Sequence, residues 1–205
     1  MPASSRLPLV VAITGASGAP YAVRLLEALA AAGQPTWLVV SSHGHRLLET
    51  ETGIKGIGAL REHVGAAQWD ASITVFDDSD RGARPASGSV VTAGMVICPC
   101  SMGTVAAIAH GTSRSLVERA ADVCLKERRK LVVVPRETPL SEIHLENMLR
   151  LTRAGAVVLP ASPGFYHRPT SVQDLVSFVV ARVLDHVGVP NAVARRWGEP
   201  SDEDS

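Results

Sequence analysis

The sequence predicts an α/β domain built on a mostly parallel sheet, and three observations carry that prediction. Short unbroken apolar runs recur at residues 9–14 (LVVAIT), 95–98 (MVIC) and 131–134 (LVVV). Strands covered on both faces read this way, whereas strands with one wet face alternate. The first two runs each lead into a small-residue turn and then a helical pattern, the signature of strand–turn–helix units. The chain is also rich in Ala, Val, Leu and Gly, with aromatics at only 4%, which suits parallel strands under alanine-rich helices. Its 205 residues suffice for one such domain and fall short of two comfortable ones. The expected organisation is an N-terminal extension (1–8), a single domain (9–189) and a polar C-terminal tail (190–205).

Composition excludes several function classes. Twenty basic residues balance twenty acidic ones, so no electrostatic footprint points to nucleic acid. The basic cluster at 126–130 is short enough to be a solvated helix end. No apolar run reaches membrane-spanning length. The opening MPASSRLPLVVAIT holds one arginine and a short apolar run; the glycine turn and helix that follow make that run the first strand rather than a leader. Three cysteines, two of them as Cys98-Pro99-Cys100, make neither a disulfide framework nor a zinc site. Buried thiols in a reducing cytoplasm are expected.

In chain order, Gly15-Ala16-Ser17-Gly18 turns the first strand into a helix over 19–32. Such a turn points backbone N–H groups at an anion. Pro20 stands where a dinucleotide fingerprint needs its third glycine, and the second strand (36–40) ends in Ser41-Ser42 rather than an acidic ribose ligand. A mononucleotide phosphate fits better than NAD. Ser17 is either a donor to that ligand or a turn hydroxyl tied to its own backbone. A short helix follows at 42–52, then a weakly patterned stretch (53–65), a strand (73–76) and a long polar loop (77–89). The strand at 95–98 enters Pro99-Cys100-Ser101-Met102-Gly103-Thr104, a second turn with hydroxyls at its helix start. The helix at 113–127 carries Arg119 and Lys126 on one face, with Asp122 three residues from Arg119; a surface salt-bridge ladder is the alternative reading.

The strand at 131–134 stops at Pro135 and delivers Arg136 and Glu137 to its carboxyl end, where open α/β sheets bind ligands. Thr138 and Pro139 are expected to cap and open the next helix. An amphipathic helix (142–153), a last strand (156–159), a proline-stiffened loop displaying Tyr166 (160–169) and a closing helix bearing Arg182 (171–187) complete the domain. Trp197 stands out in the polar tail.

TGASGAPY, PCSMGT, RAADVCLKERRKLVVVPRETPLSEIHLENM and FYHRP, in this order, resemble the flavin prenyltransferase family (UbiX type) across essentially the whole chain. The resemblance implies a Rossmann-like, flavodoxin-related three-layer sandwich and a homododecamer with sites at subunit contacts. It implies transfer of a dimethylallyl group from dimethylallyl phosphate to N5 and C6 of reduced FMN, without a metal, for use by UbiD-type decarboxylases. Gly15, Ala16, Ser17, Ser41, Ser101, Met102, Gly103, Thr104 and Arg136 would then bind FMN. Tyr166 and Arg182 would bind the donor, with Arg119, Lys126 and Glu137 gathered around its phosphate. Ser17 and Glu137 would handle the N5 proton, and Glu51 aligns with a glutamate supplied from another subunit.

One position departs from the pattern. After Ala86-Ser87-Gly88-Ser89 the family usually carries an aromatic residue able to stabilise an allyl cation, and this chain has Val90, with Tyr166 and Trp197 as candidate substitutes. Two other functions compete: an FMN-dependent cysteine-type decarboxylase and a non-catalytic flavin carrier. The first lacks its Pro-x-Met-Asn clamp here, although His43 and His45 supply histidines. The second has no need of Arg119, Lys126, Arg136 and Glu137 together.

Overall fold

The computed structural model describes residues 6–194, so Trp197 lies outside the described residues. Six strands, β1 (Leu9–Ile13), β2 (Thr36–Val40), β3 (Ile73–Phe76), β4 (Gly94–Cys100), β5 (Leu131–Pro135) and β6 (Val157–Val158), form one sheet in the order β3-β2-β1-β4-β5-β6. All neighbours pair in parallel. The helices are α1 (Ala19–Ala31), α2 (Ser42–Thr52), α3 (Gly56–Val64), α4 (Ala66–Ser72), α5 (Met102–Ala109), α6 (Leu116–Lys126), α7 (Glu142–Arg153) and α8 (Val172–His186). The strand order reverses between β1 and β4, which makes the crevice outside their carboxyl ends the topological switch point of a doubly wound, Rossmann-like sheet.

The unbroken apolar runs have their reason in the two covered faces. Leu9, Val11 and Ile13 of β1 enter a core shared with α1 and α8, while Val10 and Ala12 enter a second core shared with α5 and α6. In the first core Leu25, Leu26 and Leu29 of α1 are wholly inaccessible, as are Val105 and Leu116 in the second. Cutting one of these leucines to alanine costs about 2–5 kcal/mol. The three cysteines are free and buried, and burial pushes the Cys98 thiol up to about 12 and the Cys124 thiol up to about 11. Among the described residues no helix is long and apolar enough to cross a membrane.

The layers also have two edges, and this matters for the site. Helix α6 starts at the carboxyl edge, where Leu116 and Val117 donate from their backbone N–H groups to Asp78, just past β3. It ends at the amino edge, where Lys130 accepts from Met95 at the start of β4. Eleven residues at 1.5 Å each separate the two ends by about 16 Å.

Three sequence expectations are corrected. The weakly patterned stretch at 53–65 folds as α3 and leads into α4, with Leu60 and Trp69 buried; glycines at 53, 56, 58 and 65 had obscured the helical period. The strand expected at 95–98 runs on through the cis Cys98–Pro99 peptide to Cys100. Thr138 and Pro139 do not open α7. Ser141 caps it instead, accepting from the His144 N–H while His144 Nδ1 accepts from the Ser141 N–H. This reciprocal box satisfies two helix-end donors that Thr138 would have left open, and residues 136–140 become a connector beyond β5.

Candidate active site

The site is built at the switch point. Thr14, directly after β1, is buried; its hydroxyl donates to Pro99 O (3.1 Å) and accepts from the Ser101 N–H (2.9 Å). That exchange ties the two strand–turn–helix units together. Ser101 caps α5, accepting from the Thr104 N–H and pairing with the Thr104 hydroxyl at 3.0 Å. Ser41 caps α2 by accepting from the Gly44 N–H at 3.1 Å. Two helix amino ends therefore converge on a cleft of about 390 Å³ lined by Thr14, Gly15, Ser41, Ser101, Thr104 and Ser115, among others. Two carboxylates also line it, Asp78, which accepts from the Val117 N–H, and Glu118, paired with Arg114. With both engaged, the hydroxyls and positive helix ends suit a phosphate, and the volume falls within the range of small-ligand sites. A second cleft of about 610 Å³ shares Ser42, Asp78 and Ser115 with it and extends along β3 past Val40, Ile57, Phe76 and Arg114. The donor set fits FMN. Met102 faces the core, so only its backbone can serve a ligand.

The glycine turn behaves differently from its sequence reading. Its carboxyl-terminal N–H groups have an internal partner: Glu51 Oε2 accepts from Gly18 and Ala19, both at 2.8 Å. Gly15 of the same turn lines the cleft together with Ser41 and Ser101. Within one chain, Glu51 thus closes on its own glycine turn. Gly18 has φ 124°, and a Cβ there would meet the Tyr21 ring at 2.8 Å, so the turn closes only with glycine.

Around that turn the structure assembles Ser17, Glu51 and Arg136. Arg136 Nε donates to Ser17 O at 3.1 Å. Burial alone would raise the Glu51 carboxyl. The Gly18 N–H, the Ser17 hydroxyl, the Ala19 N–H and nearby Arg136 outweigh it and hold Glu51 below its ordinary 4.5. A depressed folded value means stability that is complete above the ordinary range and lost as pH falls through the folded value. Glu51→Gln therefore lowers thermal stability near neutral pH by about 1 kcal/mol, and the gap closes below about pH 4. Melting curves across the acid range check this; a gap that persists unchanged in acid would show that charge is not its source. Tyr21, half-buried beside Arg136, has its phenol raised by burial and the Cys98 thiol against the lowering effect of Arg136.

The donor residues divide into two groups. Tyr166 packs edge-on against Phe178 of α8, their centroids 5.7 Å apart, and His167 stacks parallel to the same ring. Arg182 lies one helical turn beyond Phe178 on that face and pairs with Asp185 at 3.0 Å. Arg119 and Lys126 lie on α6, in the opposite layer. Arg119 pairs with Asp122 at 2.7 Å, and Lys126 with Glu127. Lys126 and Val90 sit at the amino edge of the sheet, the far side from Ser17, Arg136 and Glu137. One chain does not gather the cations expected around a single phosphate. Sequence reasoning missed Thr14, Tyr21 and Phe178; only Thr14, ending the first apolar run at a strand's carboxyl end, carried a signal.

The geometry coincides with that of known proteins. The Flavoprotein family model matches residues 3–184. The flavin prenyltransferase UbiX of Pseudomonas aeruginosa is 51% identical over 198 residues, covering 93% of this chain and 94% of that protein. The chain belongs to the flavin prenyltransferase family. Among solved flavin prenyltransferase relatives, AnUbiX (PadA1), in complex with FMN and dimethylallyl pyrophosphate, superposes with a TM-score of 0.88 at 41% identity, covering 96% of this chain and all of that one. A dodecameric FMN-dependent UbiX-like decarboxylase from Escherichia coli O157:H7 superposes at 0.84 with 45% identity, covering 93% and 99%.

Proposed function

We propose that this chain is a flavin prenyltransferase that joins the dimethylallyl group of dimethylallyl phosphate to N5 and C6 of reduced FMN, for use by a UbiD-type decarboxylase. The observation that carries this reading is the Ser17–Glu51–Arg136 cluster on the glycine turn, a turn whose first residue, Gly15, also lines the hydroxyl-rich cleft. Reduced FMN supplies the two nucleophilic ring atoms. Ser41, Ser101 and Thr104 hold its phosphate, and Arg136 bridges from β5 to the glycine turn. Glu51, kept ionised, orders the Ser17 hydroxyl so that its oxygen can receive a proton from N5. As the allylic C–O bond breaks, the electron pair leaves on phosphate. Arg119, Lys126 and Arg182 stabilise that growing charge in place of a metal. Ser17 releases its own hydroxyl proton as it takes the one from N5, and Glu137 carries the released proton to the departing phosphate.

Under this reading a second copy brings Lys126 and Val90 from the amino edge of one chain to the Ser17–Glu137 edge of another, while Arg119, in the first turn of α6, stands near the carboxyl edge. Exposed apolar side chains support assembly: Ile143, Leu145 and Leu149 on α7, with Phe165 and Val172 beside the Tyr166 loop. A homododecamer is the expected form. The protein is tested by incubation with reduced FMN and dimethylallyl phosphate or diphosphate, followed by mass spectrometry of the flavin. An added five-carbon unit is expected. Unmodified FMN, with donor and reductant verified, would overturn the reading.

Val90 places a small side chain, packed against the core edge, where the family usually has a ring. Val90→Trp or Val90→Phe is expected to accelerate single-turnover prenylation several-fold, since a ring face over an allyl cation contributes about 0.5–2 kcal/mol. Unchanged rates would remove this position from the chemistry.

A further inference from the structure

The motif LKERR contains two arginines that the reaction as described does not use. Arg128 turns the chain out of α6 with φ 56°. Arg129 closes the helix end, its N–H donating to Cys124 O at 2.8 Å. Its guanidinium then reaches across the sheet edge to the loop before β4. Nη1 donates to Val90 O at 2.8 Å, and Nη2 to Gly88 O at 2.5 Å. The other hydrogen bonds around residue 90 are short-range, Ser87 to Ser89 between hydroxyls at 2.9 Å and Val90 N–H to Ser87 O at 3.3 Å. Ala86 and Val90 pack against the core that α6 lines. The fork adds the polar tie to the end of α6, at both ends of the segment carrying residue 90.

Gly88 completes the contact. A Cβ there would lie 2.8 Å from Lys126 Nζ and closer still to the Glu127 carboxylate. The Lys126–Glu127 pair thus rests on bare backbone. Lysine is a point charge on a flexible four-carbon stem, so its direction has to be imposed by its surroundings.

We infer that Arg129 is a positioning residue for the prenyl donor. By locking the Gly88–Val90 carbonyls to the end of α6, it fixes Lys126 relative to the side chain at 90. The inference rests on the reading above, in which Lys126 meets the donor's phosphate and residue 90 its allyl end. One donor molecule spans both groups, so their separation sets whether it is held in a reactive pose. Arg129 itself touches neither donor nor flavin.

The experiment compares Arg129→Met, Arg129→Lys and Gly88→Ala in the assembled, full-length protein, by donor KM, kcat, FMN affinity and Tm. Arg129→Met is expected to raise the donor KM at least tenfold and lower kcat/KM further, with FMN affinity within about twofold. Arg129→Lys keeps the charge but not the fork and falls between it and wild type. Gly88→Ala leaves the fork intact and displaces only the tips of Lys126 and Glu127. It raises donor KM several-fold without changing Tm, and it carries the test if Arg129→Met does not fold. Unchanged donor KM in Gly88→Ala and in whichever Arg129 variants fold overturns the inference, as does a Tm loss in them that accounts for all lost activity. Wild-type protein that makes no prenylated flavin in the same assay overturns the functional reading and this inference with it.

Discussion

Glu137→Gln is expected to bind FMN as wild type does while losing prenyl transfer by roughly 100-fold or more, the usual size of a lost general acid or base. The substitution is close to isosteric. Glu137 Oε1 accepts from its neighbour's Thr138 N–H at 3.2 Å, and a glutamine oxygen can do the same. In the proposed function flavin binding rests elsewhere, on Ser41, Ser101, Thr104 and Arg136, residues already positioned by their own hydrogen bonds. What glutamine cannot do is pass a proton to the departing phosphate. Flavin titration and single-turnover mass spectrometry separate the two effects. Full turnover in the variant would remove Glu137 from the mechanism; loss of flavin binding in proportion to turnover would make it a binding residue instead.

The residues differ in how much of their role could be read before the structure. Strand positions were legible because burial on both faces writes itself as an unbroken run, and β1 and β2 match within a residue. Arg136 and Glu137 were legible from position alone, since a strand's carboxyl end is a ligand edge in this architecture. The partner of the glycine turn was not. Glu51 lies 33 residues from Gly18, and nothing in α2's own pattern says that its last turn bends back over β1. Helices α3 and α4 were hidden because four glycines break their apolar period, although Leu60 and Trp69 still anchor them. Arg119 and Lys126 could be placed on one helix face from their spacing. The sheet edge reached by that helix end is a property of the topology, and local sequence does not encode it.

That edge leads to the second large effect, on the assembled enzyme. Lys126→Ala and Glu137→Gln are each expected to be nearly inactive alone. A hybrid oligomer carrying both variants is expected to recover about a quarter of wild-type activity, because with closed symmetry each site draws its two halves from different copies. One site in four then receives an intact Lys126 from one chain and an intact Glu137 from another. The structure motivates this directly. Helix α6 carries Lys126 about 16 Å from its own carboxyl-edge start, and Glu137 follows β5 on that carboxyl edge. Each cation also waits on a local carboxylate, Asp122, Glu127 or Asp185, so no phosphate is needed to keep it ordered before assembly. Co-expression with two different tags, purification through both, and turnover per flavin bound give the measurement. Hybrids no more active than their parents would place both halves within one chain, against the separation of the two edges.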